Sequence, residues 1–161
     1  MKESLLETVK FVKGLAPAAD RWNTSPATDI VNGALYQTVT FLVHQIGGTT
    51  GRATLTVEAC SDVSGTGATA VPFRYSIGGT GAGAGGDETG AVTNAAAAGF
   101  STVANAEKLY LCEIDTSELP ADKPFVRLKC TESVDDPVAG AVEIILSGAR
   151  YAGVALPSAI V

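Results

Sequence analysis

The chain has 161 residues, 46% of them hydrophobic and only 17% charged, with 11 basic and 17 acidic side chains giving a net charge of −6. That length supports one domain with a core of its own. Dispersed Lys and Arg on an acidic background argue against a phosphate-backbone footprint, so nucleic acid is not an expected partner. No 18-residue apolar run is present to span a membrane, and Glu3, Glu7, Lys10 and Lys13 interrupt every candidate signal-peptide core. The expectation is a protein made in the cytoplasm and not inserted in a bilayer.

Residues Glu3 to Val12 carry Leu5, Leu6, Val9 and Val12 at near-helical spacing, while TVKFV (Thr8–Val12) also alternates like a strand; both assignments stand. Gly14, Pro17 and Pro26 then break regular structure and predict an extended arm, with residues 1–34 set apart from the body. Trp22, the only tryptophan, has two readings here: a ring packed on its own subunit, or an anchor in a partner's groove.

From residue 35 to 150 the pattern is that of an all-β domain. Asn32-Gly33 is a turn signal. In the strand Leu35 to Gln45, Val39, Phe41 and Val43 share one face; in Arg52 to Cys60, Ala53, Leu55, Val57 and Ala59 point inward. The short Gly/Thr loop between these two strands predicts a β-hairpin. Val71 to Ile77 alternates again, with Pro72 placing it at an edge or a strand start. Gly78 to Gly90 (GGTGAGAGGDETG) reads as a surface loop, Asn94 to Gly99 as a short helical turn, and Phe100 to Val103 as a short strand. Glu107 to Asp115 is apolar on both faces, the pattern of a strand covered on two sides. Val126, Leu128 and Cys130 point inward from the next strand, and AVEIIL (Ala141–Leu146) is the last. Short strands with turns every eight to fourteen residues and no long helix indicate an antiparallel β-sandwich or jelly roll.

Chemistry-bearing patterns are sparse. Gly81 to Gly86 satisfies GxGxxG, but Asp87 and Glu88 follow at once where they would repel a pyrophosphate, and the surroundings are β. His44 is the sole histidine, no GxSxG elbow exists, and Cys60, Cys112 and Cys130 each fall within a strand, as buried free thiols of a reducing compartment do. The acidic pairs Glu113/Asp115, Glu118/Asp122 and Asp135/Asp136 read as solvated turn acids. No catalytic, cofactor or metal site is predicted.

The ends point elsewhere. Tyr151 to Val161 (YAGVALPSAIV) is uncharged and mostly apolar, a composition suited to docking on a neighbouring chain. The expected partner contacts are Leu5, Leu6, Val9, Phe11, Val12 and Trp22 near the N-terminus, and Tyr151, Val154, Leu156, Ile160 and Val161 at the C-terminus.

The segments TDIVNG (Thr28–Gly33), TVTFLVHQ (Thr38–Gln45), GTTGRATLTVEACSDV (Gly48–Val63), VPFRY (Val71–Tyr75), AAGFSTV (Ala97–Val103), KLYLCEID (Lys108–Asp115), PFVRLKCTE (Pro124–Glu132) and SGARY (Ser147–Tyr151) resemble small virion structural proteins encoded among the head genes of tailed bacteriophages and prophages. That resemblance covers roughly Trp22 to Tyr151 and rests on strand and turn segments. It implies a capsid-associated role, decorating or cementing the head shell on the virion surface, as a homo-oligomer (a trimer or another ring) bound to the major capsid protein. A tail, neck or head-completion subunit is the alternative, and a carbohydrate-binding sandwich a second one. No functional residues carry over from the family.

Overall fold

A computed structural model describes residues 4–79, 88–150 and 156–160. Two antiparallel sheets pack face to face, so the expected β-sandwich is the fold. The six-stranded sheet has the order β1 (Val9–Ala18), β11 (Gly140–Ala149), β3 (Tyr36–Gln45), β9 (Lys108–Asp115), β6 (Phe73–Gly78), β7 (Thr93–Ala95). The five-stranded sheet runs β2 (Val31–Asn32), β10 (Phe125–Val134), β4 (Arg52–Cys60), β5 (Thr69–Val71), with β8 (Phe100–Ser101) also paired to β4.

Period-two alternation explains the core directly, because successive side chains leave a strand on opposite faces. Val39, Phe41 and Val43 of β3, Tyr110, Cys112 and Ile114 of β9, and Val142, Ile144 and Leu146 of β11 are buried from one sheet. Leu55 and Val57 of β4 and Val126, Leu128 and Cys130 of β10 meet them from the other. An aromatic group closes one side: Phe100 stacks on Tyr75 with ring centroids 3.9 Å apart, and Tyr110 lies tilted 5.9 Å away.

Several sequence expectations change. β3 and β4 are not a hairpin; they lie in different sheets. β3 already has β11 on one side and β9 on the other, while β4 has β10, β5 and β8. The loop between them therefore crosses the sandwich. The Asp136 carboxylate holds it there, accepting from Thr50 N at 2.7 Å and Gly51 N at 3.3 Å, and Ile46 N donates to Ala139 O at 2.8 Å. Pro72 marks a second crossing: β5 ends before it in one sheet and β6 begins after it in the other. Of residues 94–99, expected to form a short helical turn, Asn94 and Ala95 belong instead to β7, paired with β6.

Part of the expected N-terminal arm is sheet. After the four-residue helix α1 (Leu5–Thr8), β1 pairs along β11 from Val9↔Ser147 to Ala18↔Gly140. The chain then bends through Thr24 and Ser25, both with positive φ, and runs along β10. There Cys130 N donates to Pro26 O, Leu128 N to Thr28 Oγ1, and Thr28 N to Leu128 O. One N-terminal segment thus ties the two sheets together. Trp22 sits at the bend with 1% of its surface exposed, its ring beside Gly140. This withdraws Trp22 from the partner contacts, because a side chain buried in its own subunit offers nothing to another. Val12, inside the core cluster, is withdrawn for the same reason.

The C-terminal residues that are described also lie on their own chain. Ala159 is fully buried, its carbonyl accepts from Asn32 N at 2.8 Å, and Pro157 O accepts from the Tyr36 hydroxyl at 2.6 Å. Leu156 is half-buried there.

Candidate assembly surface

Of the expected N-terminal partner contacts, Leu5, Leu6 and Phe11 remain exposed, and they lie at the β1 edge. α1 starts at a capping box in which Ser4 Oγ accepts from Leu6 N and the Glu7 carboxylate accepts from Ser4 N at 3.2 Å. This cap holds Leu5 and Leu6 outward, 62% and 79% exposed. β1 follows at once, and Phe11 lies on its outer face at 50% exposure, opposite Ile145 of β11. Burial of apolar surface stabilises by roughly 25 cal/mol per Å², so three large exposed side chains within seven residues favour a contact over water. Val9 is half-buried on the same face.

The outer face of the six-stranded sheet continues from this edge. Cross-strand rows place Phe11, Ile145, Thr40, Glu113 and Arg74 side by side, and Lys13, Glu143, Leu42, Leu111 and Ser76 in the next row. Leu109 and Leu111, expected to be covered, are only half-buried because no second layer lies on this face among the described residues. Arg74 pairs with Glu113 at 3.1 Å, and Thr40 Oγ1 donates to the same carboxylate at 3.3 Å. A shallow hollow of about 220 Å³ lies against them, lined by Leu111, Ser76 and Val92 among others.

Of the expected C-terminal contacts, Ile160 is half-exposed. Tyr151, Val154 and Val161 lie outside the described residues, as does the glycine motif Gly81 to Gly86.

Several titratable groups are engaged in structure. Burial pushes the Cys112 thiol far up and the Cys130 thiol up to about 12, so neither supplies a thiolate near neutral pH. His44 faces solvent 3.9 Å from Glu107. Arg127 and Glu58 form a cross-strand pair at 2.7 Å on the outer face of the other sheet. Asp115 and Asp136, singled out in the sequence as members of acidic pairs, are turn acceptors, and so is Asp62. Hydrogen bonds from Thr66 to Asp62, from Ser117 to Asp115 and from Thr50 to Asp136 hold all three carboxyls below their ordinary value of 3.8. No cluster of three or more His, Cys, Asp or Glu suited to a metal is found among the described residues. No helix there is long and apolar enough to cross a membrane.

A pH dependence follows from these carboxylates. Because their folded pKa values lie below the unfolded ones, they stabilise the fold above about pH 4, and that contribution is lost as pH falls through the lowered values. Glu132 acts in the opposite sense, being raised by partial burial and then by Asp135 and Asp20. Thermal melts should therefore decline below pH 4, with a shallower decline in Asp136→Asn, which has one depressed carboxylate fewer to protonate. A melting temperature unchanged between pH 5 and pH 3 would contradict this assignment.

Sequence reasoning found the residues of the edge but not the edge itself, since alternation in Val9–Lys13 reports a face and not an empty flank. No family model, curated protein or solved structure matches the chain.

Proposed function

We propose that this protein is a non-enzymatic structural subunit of a tailed-bacteriophage virion, a decoration or cement protein that binds across subunits of the head shell. The observation that carries it is the apolar edge formed by Leu5, Leu6 and Phe11 on a rigid sandwich whose buried thiols and turn acids serve the fold. The resemblance of eight strand and turn segments to phage head-gene products supports the same assignment. A cement protein needs modest contacts repeated over many copies, which multiply into a stable shell. An edge with three exposed anchors supplies contacts of that size.

Incubating the purified chain with empty shells of the phage that encodes it, then pelleting the shells, tests this directly. Saturable co-sedimentation is expected, together with a rise in shell melting temperature. A chain that stays in the supernatant at every concentration would refute it. A tail, neck or head-completion position is the second assignment, and it predicts binding to a tail or portal end and none to closed shells. The carbohydrate-binding alternative would need an exposed aromatic platform, and Trp22, the sole tryptophan, is buried.

A further inference from the structure

At the end of the sandwich where the N-terminal segment passes between the sheets, two deeply buried polar atoms have no protein partner among the described residues. They are the indole Nε1 of Trp22 and the side-chain Oε1 of Gln45. Their side chains are 1% and 0% exposed, so bulk solvent does not reach them. Asp20 Oδ1 and Arg21 Nε are also unpartnered, but those residues are only half-buried and lie nearer the surface.

The hydrogen-bonding sense of each atom is fixed. An indole nitrogen only donates. Gln45 Nε2 donates to Val103 O at 2.7 Å and to Ala106 O at 3.1 Å. Turning the amide over would set its oxygen against both carbonyls, so Oε1 stays an acceptor. Register places the two residues together. Gln45 of β3 is paired with Gly140 of β11, and paired residues of antiparallel strands send their side chains to the same face. Both residues are buried, so that face is the inner one. A Cβ at Gly140 would stand 3.6 Å from Trp22 Cζ2, on the edge of the indole that carries Nε1. Gly140 itself puts no side chain into the space beside them.

We propose that this end of the sandwich binds one water molecule, which accepts from Trp22 Nε1 and donates to Gln45 Oε1. The two atoms select the ligand. A cation would be repelled by the indole N–H and an anion by the amide oxygen, whereas water accepts and donates without charge. Buried polar groups in folded proteins are nearly always paired, and ordered water is the usual partner where protein atoms do not reach. Its effect follows from its place. Trp22 belongs to the segment that ties the two sheets, while Gln45 ends β3 and holds the connection at Val103 and Ala106. The water joins these pieces across the interior, whatever the protein's biological role.

Trp22 is the sole tryptophan, so its indole N–H gives one resonance in a proton–nitrogen correlation spectrum of the labelled full chain. Water-selective NOE and ROE spectra should show a cross-peak from that proton to water, with NOE and ROE of opposite sign, the signature of a long-lived bound water. Gln45→Met, which keeps the length of the side chain and removes the acceptor, should abolish the cross-peak. A crystal structure of the wild-type chain decides the matter even if that variant does not fold: it should show one ordered water within hydrogen-bond distance of both Trp22 Nε1 and Gln45 Oε1. No ordered water between them, a direct hydrogen bond from the indole to Gln45 or to a carbonyl, or a cross-peak that survives in a folded Gln45→Met variant would overturn the proposal.

Discussion

Gly99→Ala is expected to be among the most damaging single substitutions in this protein, costing about 2–5 kcal/mol. Gly99 lies where the chain leaves β7 in one sheet and enters β8 in the other, with φ of +74°. A left-handed backbone costs an L-residue about 1–2 kcal/mol. A Cβ there would also press into the Leu55 carbonyl and sit 2.7 Å from Thr56 Cγ2. Both neighbours belong to β4, whose Leu55 is fully buried, so they cannot give way cheaply; overpacking of this kind adds about 1–3 kcal/mol. The displaced element would be β8, and with it Phe100, which pairs opposite Leu55 and stacks on Tyr75. Gly67→Ala is the matched control. It has φ of +63°, but its nearest contact would be Ser61 Oγ at 3.4 Å, so it should show only the backbone part of the cost. Urea denaturation of the pair measures the difference. Equal losses would mean that the β7–β8 connection yields and that Phe100 is not held as described.

Trp22→Ala should cost about 3–5 kcal/mol, roughly 6–20 °C in melting temperature. The ring fills the end of the sandwich beside Gly140, and its backbone is fixed on both sides by Arg21 N to Val138 O at 2.7 Å and Ser25 N to Trp22 O at 2.9 Å. Removing it opens a cavity at the one place where the N-terminal segment passes between sheets. The indole N–H has no acceptor among the described residues. Trp22→Phe, which discards that donor and keeps most of the apolar volume, should therefore cost much less than Trp22→Ala. As the sole tryptophan, it also gives the protein a blue-shifted emission that moves to the red on unfolding. If Trp22→Ala were nearly neutral for stability yet abolished self-association, the ring would be a partner anchor after all.

The alternating strands were legible because period-two burial is a local property. Val39, Phe41 and Val43, or Val126, Leu128 and Cys130, announce an inward face without reference to anything else in the chain. Which strand lies beside which is not local. The Gly-rich link after Gln45 looks like a hairpin turn, yet the neighbours of β3 come from residues 140–149 and 108–115, and the contacts that redirect the loop come from Asp136, 86 residues away in the case of Thr50. The N-terminal segment was hidden for a related reason. Gly14 and Pro17 are breakers in isolation, but the register shifts between Lys13 and Ala18 absorb them within an edge strand, where proline's missing donor is tolerated. At the assembly surface, composition marked Leu5, Leu6, Val9 and Phe11 as apolar residues in search of a partner. It marked Trp22 and Val12 equally, because hydrophobicity alone does not tell a side chain that meets its own core from one that meets another chain. Conversely, Leu109 and Leu111 read as covered on both faces, and only the absence of a covering layer among the described residues leaves that face open.

Electron microscopy of the intact particle, resolved well enough to trace side chains, bears most directly on the cement assignment. It should show this sandwich on the outside of the head, at a copy number comparable to that of the major capsid protein and seated across the seams between shell subunits. Finding the chain only at the neck or tail in a few copies, or not in the particle at all, would contradict it.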